Sequence, residues 1–349
     1  MRRCRLALPV LLASLAVAFV ATACGGGDES NGGGGEGTTA AAGGGGEAAA
    51  PINLAFSTWN GYIGLVIGVE EGFFDEAGVH VEYTVIEDPV QRFNAFKAGR
   101  LNAIATTVDT FSRTYAKGIP SVQVLGLDAS VGGDGIVAEK DITSPAALKG
   151  QEVAVSEGST SQWLLAYVLD QAGLSLEDVK QVDLTSADAG AAFAAGRVPV
   201  AVTWEPWLSR AEENPDGQVL VDTTKYPDII TDHVAFSPDF VKENPDSVRA
   251  FIKGYAMAVD FLGTNEDEAI DDVTEYLGQE PDDVKAVMET VPIWSIEESK
   301  EYYGTADNPG PIYDIFTESA EFWKNVGEID SVPDPKGAID PSFLQEFSG

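Results

Sequence analysis

From residue 51 onward, short apolar runs of strand length alternate with stretches whose apolar residues recur three and four positions apart, the spacing of one helix face. Ile52-Asn53-Leu54-Ala55-Phe56 reads as a short strand, and Ser57-Thr58-Trp59-Asn60-Gly61 as the polar turn that ends it. The pattern then predicts a helix from Tyr62 to Glu71, stopped at Gly72. Val79, Val81, Tyr83 and Val85 alternate as one face of a second strand. Asp88-Pro89 marks a capped helix start with proline at the first helical position. Val90, Phe93 and Phe96 form the apolar stripe of that helix, Gly99 ends it, and Leu101 to Thr106 is a third strand.

The same order returns farther along. Glu152 to Val155 is a strand, and Gly158-Ser159-Thr160-Ser161 is a turn and cap leading into a helix from Gln162 to Ala172. Val179 to Leu184 is a strand, Ser186 caps a helix of small residues ending at Gly196, and Val198 to Trp204 is a third strand. Two successive β-α-β-α-β units predict an α/β protein of two lobes, each a mostly parallel sheet, because connections of this length carry crossover helices. The chain from about Ser237 reads as largely helical. One helix opens at Asn244-Pro245-Asp246 and runs through Val248, Phe251, Tyr255 and Leu262. These helices are expected to pack back on the first lobe.

Ligands of open α/β sheets sit beyond the carboxyl ends of the strands. Two such edges facing across a cleft put Trp59, Asn60, Tyr62 and Asp109 on one wall, with Ser159, Thr160, Ser161, Trp204 and Glu205 on the other. Trp59 and Trp204 offer apolar area and a face for a cation or a planar group; the alternative for each is lobe core. Trp163 and Trp207 fall inside helices and read as packing. Ser159-Thr160-Ser161 opens a helix, where free N–H groups and hydroxyls suit an anion, although capping alone accounts for one hydroxyl. Asp109 and Glu205 follow the third strands of their units, so they are expected to oppose each other. Opposed carboxylates favour a ligand with an amine or amidine between them, the alternative being that each caps its own helix. Asp134, after Gly132-Gly133, is a further candidate for that role.

Composition narrows the chemistry. The net charge is -35, from 21 basic and 56 acidic residues among 349, and phosphate repulsion makes nucleic acid an unsuitable partner. The two cysteines, Cys4 and Cys24, both precede the folded body, which therefore has no disulfide or thiolate metal site. With only His80 and His233, far apart, neither a metal site nor a Ser-His-Asp triad is expected, and no cofactor or catalytic residue is assigned.

Arg2, Arg3 and Arg5 precede an uncharged run from Leu6 to Ala23 that ends in Ala21-Thr22-Ala23. After Cys24 the chain is almost entirely Gly, Ala, Ser, Thr, Asn and a few acids up to about Ala50, a composition that buries no core. The arrangement resembles a bacterial lipoprotein leader, with Ala21 where such leaders more often have leucine. That resemblance implies a removed segment 1–23, lipid on Cys24, a flexible tether 24–50, and a body held outside the cytoplasm at a membrane surface. A plain cleaved signal or a single span are the alternatives.

Within the body, Ser57-Thr58-Trp59-Asn60-Gly61-Tyr62, Glu71-Gly72-Phe73-Phe74 and Phe96-Lys97-Ala98-Gly99-Arg100-Leu101-Asn102-Ala103 occur in order with Asp134-Gly135-Ile136-Val137, Leu148-Lys149-Gly150 and Trp204-Glu205-Pro206-Trp207. Together they resemble the solute-binding proteins of ABC importers, in the branch handling aliphatic sulfonates, taurine, nitrate and pyrimidine precursors. Asn102 replaces the usual aspartate there. The resemblance implies two α/β lobes closing on a small molecule about a two-stranded hinge, with crossings near Val137 to Lys140 and Val234 to Ser237. The lobes are then 51–138 with 236–349, and 139–235. It further implies a monomer that hands a small sulfur- or nitrogen-containing molecule, such as taurine, an alkanesulfonate or a small cationic nitrogen compound, to a permease with its ATPase subunits. Related folds include a pyrimidine-precursor synthase, but few histidines and no nucleophile elbow or phosphate loop favour capture over turnover.

Overall fold

In the computed structural model, the described residues are 49–348 except Glu213, Pro227 and Asp228. The leader, the tether up to residue 48 and Cys24 lie outside them.

Among the described residues, ten strands form two five-stranded sheets. They are β1 (Ile52–Phe56), β2 (Val81–Val85), β3 (Ala103–Thr107), β4 (Val122–Ala129), β5 (Asp134–Glu139), β6 (Glu152–Val155), β7 (Lys180–Asp183), β8 (Val200–Trp204), β9 (Gly217–Asp222) and β10 (Thr231–Phe236). The first sheet has the order β2-β1-β3-β10-β4, the second β7-β6-β8-β5-β9. In each, three strands from one β-α-β-α-β unit are parallel, with Leu54 opposite Ala103 and Val153 opposite Val200. The fourth strand of each, β10 or β5, runs antiparallel to both neighbours, so the sheets are mixed.

These antiparallel strands correct the expected crossings. Val137 to Glu139 lies inside β5 and Val234 to Phe236 inside β10, so the chain changes sheets between β4 and β5 and again between β9 and β10. Strand direction depends on which sheet a run joins, and an apolar run carries no mark of that.

Local signals place the flanking helices. Asp88 Oδ1 accepts from the Gln91 N–H at 3.0 Å, with Pro89 at the first helical position of Pro89–Lys97. Ser159 caps Thr160–Gln171, whereas the cap of Ser186–Ala194 is Thr185 and not Ser186. β3 and β8 are buried along their whole length, as strands covered on both faces should be. β2 is an edge strand, so Val81 is buried but Val85 is exposed, and the face expected from Val79 to Val85 is only half covered.

The later helices divide their packing. Helix Pro245–Thr264 returns to the first lobe, where Phe251 stacks on Phe74 with ring centroids 4.8 Å apart. Helix Pro311–Asn325 instead spans both lobes. Its Ser319 and Phe316 meet Ser112 and Tyr115 of helix Val108–Ala116, while Ala320 and Trp323 join the second lobe's core beside Trp163. Among the described residues, no helix is long and apolar enough to cross a membrane.

Candidate functional site

The strand ends of the two sheets meet around a cavity of about 20 Å3. Its aromatic walls are Trp59, Tyr62 and Trp204, its charged groups Arg92, Asp134 and Asp232, its hydroxyls those of Ser57, Thr106, Thr107, Thr110, Ser159 and Thr160, and Pro89 and Ile230 complete the lining. Two glycines make room. A Cβ at Gly61 would lie 2.1 Å from Asp128 Oδ2, and one at Gly133 would lie 2.6 Å from the Trp59 ring. The Trp59 ring can therefore pack against both glycines, with its indole N–H donating to Asp128 Oδ1 at 3.2 Å. The Trp59 main-chain N–H donates to Tyr276 Oη at 2.9 Å, which ties the turn to the helix Glu266–Leu277.

The cavity is ringed by buried carboxylates. Asp232 lies near the start of β10, opposite Thr107 at the end of β3, and Asp134 starts β5, opposite Trp204 at the end of β8. The two aspartates thus hold equivalent places in the two sheets. The Tyr62 hydroxyl donates to Asp232. Behind these two stand Asp128 at the end of β4 and Asp109 in the first turn of helix Val108–Ala116. Asp109 is 1% exposed and Asp128 fully buried. One oxygen of each, Asp109 Oδ1 and Asp128 Oδ2, lacks a hydrogen-bond partner.

Burial dominates the electrostatics, because taking a carboxylate out of water penalises its charged form. Burial raises Asp109 to about 6 against the hydrogen bonds from Thr107 and Thr110. It raises Asp232 to about 7, with the charge of Asp109 adding to the rise and the Tyr62 hydrogen bond and Arg92 opposing it. Burial, reinforced by neighbouring carboxylates, holds Asp128 and Asp134 well above the usual range. Against them stands Arg92, 3% exposed, whose Nη1 donates to the Ile86 carbonyl at 3.1 Å and whose Nε is unpartnered. The ring therefore carries more potential negative charge than its one guanidinium neutralises.

Contacts between the walls join the two lobes. Trp204 Nε1 donates to the Thr58 carbonyl at 2.8 Å, and Thr107 Oγ1 lies 2.5 Å from Thr160 Oγ1.

Of the residues singled out from sequence, Trp59, Tyr62, Asp134, Ser159, Thr160 and Trp204 line this cavity. Asn60 does not: its amide donates to Gln279 Oε1 at 2.9 Å. The three hydroxyls of the 159–161 turn have protein partners. Ser159 Oγ donates to the Ser156 carbonyl and accepts from the Ser161 N–H, Thr160 meets Thr107, and Ser161 meets Ser186 at 3.0 Å. The opposed pair expected at Asp109 and Glu205 is placed differently. Glu205 accepts from the Ser209 N–H and hydroxyl at 3.1 and 2.8 Å, because the helix Trp207–Glu212 begins directly after it. Asp109 sits one layer behind the lining, and the facing pair is Asp134 and Asp232.

Sequence reasoning missed Arg92, Asp128 and Asp232. An arginine on the buried face of an otherwise apolar helix stripe, and Asp at the ends of strands β4 and β10, were the available signals. Among the described residues, no group of His, Cys, Asp or Glu is arranged to hold a metal ion. Neither histidine lines the cavity: His80 pairs with Asp75 on the surface, and His233 packs against Tyr302 and Tyr303.

The signature of the NMT1/THI5 like family matches residues 59–269, more than half of the chain. A Bacillus subtilis (strain 168) protein named as an aliphatic sulfonates-binding protein is 25% identical over 296 residues, spanning 81% of this chain and 84% of its own. The taurine-binding periplasmic protein of Escherichia coli (strain K12) is 23% identical over 277 residues, spanning 76% and 84%. Among solved structures, the alkanesulfonate-binding protein SsuA of Xanthomonas axonopodis pv. citri, bound to MOPS, superposes with a TM-score of 0.69 at 17% identity, over 83% of this chain and 98% of that one. The two-sheet architecture is that of the periplasmic binding proteins.

Proposed function

We propose that this chain, which belongs to the NMT1/THI5 like family, is the extracytoplasmic solute-binding component of an ABC importer and captures a small molecule bearing a cationic nitrogen. The observation that carries the ligand class is the facing pair Asp134 and Asp232, backed by Asp109 and Asp128 and offset by a single buried guanidinium. A cation between the pair relieves repulsion that the walls otherwise relieve only by taking up protons. Trp59, Trp204 and Tyr62 supply faces on which an ammonium or amidinium is attracted. Arg92 and the hydroxyls of Thr107, Thr110 and Thr160 suit an acceptor or an anionic group on the same ligand. Taurine, which the Escherichia coli relative is named for binding, has both ends.

A cavity of about 20 Å3 has room for little more than a water, so the lobes part to admit a solute and close over it. The relatives named as binding proteins support capture over turnover. Lipid on Cys24 then holds a monomeric body near its permease and ATPase subunits. Cys24→Ser should move the protein from the membrane fraction to the soluble one, and retention after carbonate washing would contradict the anchor.

The ligand class is tested by a thermal-shift screen of the mature chain against amino-sulfonates, alkanesulfonates, nitrate, amidines, guanidines and pyrimidine precursors. Binding to the folded state alone raises the melting temperature by mass action. Hits confined to nitrogen cations are expected; hits confined to nitrate or amine-free sulfonates would contradict the proposal.

A further inference from the structure

We propose that Arg113, which lies outside the cavity lining, is the positioning residue that holds the closed cleft together from behind. The inference rests on the two-lobed binding reading above.

Arg113 belongs to helix Val108–Ala116 of the first lobe, one turn after Asp109. Its guanidinium reaches the second lobe at the turn that presents Ser159 and Thr160. Nη1 lies 3.4 Å from the Gly158 carbonyl, and a Cβ at Gly158 would come within 2.6 Å of the same nitrogen. Gly158 also has φ +70°, which disfavours any side chain there. The guanidinium is fixed from its other side. Nε and Nη2 donate to Glu328 Oε2 at 3.2 and 2.8 Å, and the group lies over the Trp323 ring at 5.4 Å. Trp323 in turn donates its indole N–H to the Asp109 carbonyl at 3.1 Å and packs into the second lobe's core. One side chain thus joins the helix that carries Asp109, the segment after helix Pro311–Asn325, and the turn that carries Thr160.

Two features separate this from an ordinary surface ion pair. The Arg113 side chain is only 14% exposed, so the contact is less screened than most. Lys117 Nζ also meets Glu328 Oε2, at 2.9 Å, so removing the guanidinium does not leave Glu328 without a cation. Loss of Arg113 should therefore act on the contact with Gly158 rather than on the fold.

The test uses the chain from Cys24 on with Cys24→Ser, which has no other cysteine, and spin labels at Val90→Cys and Ala191→Cys, exposed positions on the two lobes. Distance distributions between the labels are recorded without ligand, together with the melting temperature. Losing a charged hydrogen bond should shift the closed-to-open ratio roughly 10-fold toward longer distances in Arg113→Met. The melting temperature should stay within a few degrees of the parent, a separation that a purely structural role would not give. Gly158→Ala should shift distances the same way from the opposite wall. Arg113→Lys should restore closure only in part, and Arg249→Met, which removes two exposed pairs elsewhere, with Asp246 and Glu346, should change nothing. An Arg113→Met distribution superimposable on the parent would overturn the proposal. Failure of the binding reading looks different: the parent would keep one distribution with every compound of the screen.

Discussion

The two sheets share one strand order, yet the two lobes do not bring the same chemistry to the cavity between them. The first contributes Trp59, Tyr62, Arg92, Asp232 and four hydroxyls, with Asp109 and Asp128 behind; the second contributes Asp134, Trp204 and two hydroxyls. Asp109 and Glu205 follow the third strand of each unit. Glu205 is engaged by Ser209 four residues on, whereas Asp109 keeps one buried oxygen unpartnered. Asp232 and Asp134, on the antiparallel fourth strands, are the equivalent pair that faces across the cleft. Equivalent topology fixes where a side chain can project, and the next few residues decide whether its charge is still available.

The largest effect is expected where that equivalence holds. Asp232→Asn or Asp134→Asn should each weaken a cationic ligand roughly 10- to 100-fold, the worth of a hydrogen bond to a charged group. Calorimetry of both variants checks the symmetry. A loss at one position only would mean that a single lobe recognises the cation.

Gly61→Ala should come next. Its Cβ would collide with Asp128 Oδ2 at 2.1 Å and with Trp59 Nε1 at 2.3 Å, displacing the first lobe's aromatic wall. Overpacking of this kind costs about 1–3 kcal/mol, so the urea midpoint should fall and ligand affinity with it. An unchanged midpoint would mean that the turn carrying Trp59 is looser than described.

Protonation sharpens the comparison further. Burial raises Asp109 to about 6 and Asp232 to about 7, whereas aspartates of the unfolded chain titrate at about 4. The native state therefore binds more protons than the unfolded one between those limits. The contribution of these groups to stability is fully present below their unfolded values and is lost as pH rises through about 6 to 7. The ligand-free protein should thus lose stability between about pH 4 and 7 in urea melts, and Asp232→Asn should flatten that slope. A slope unchanged by Asp232→Asn would remove the aspartate from the account. The smallest effect is expected for Glu205→Gln, whose carboxylate caps its own helix: about 1 kcal/mol of stability and little change in binding.

Much of the fold was legible in the sequence because it was written locally. Asp88-Pro89, Ser159 and the alternating β-α-β-α-β pattern each specify an element within a few residues. Trp59, Tyr62, Ser159, Thr160 and Trp204 were legible for a related reason, since each stands at the end of a strand or in the turn after one, and Asp134 because it follows the glycine pair Gly132-Gly133. Asp232 was not, because it lies near the start of an apolar run whose direction is set by its partner strands. Asp128 was hidden in the same way at the end of β4, and Arg92 within a helix stripe that reads as apolar. The capture of Glu205 by Ser209 depends on side-chain geometry that spacing alone does not specify.

The central claim, that the cavity takes a nitrogen cation, is tested most directly by calorimetry with pairs of compounds that differ chiefly in that charge. Taurine with ethanesulfonate, and guanidinium with urea, would be titrated at pH 5.5 and 7.5 in buffers of differing ionisation enthalpy. In whichever pair binds, the nitrogen cation should bind more tightly, more so at pH 7.5, and release protons as Asp134 and Asp232 ionise around it. Equal or tighter binding of ethanesulfonate or urea, with no proton release, would contradict the account.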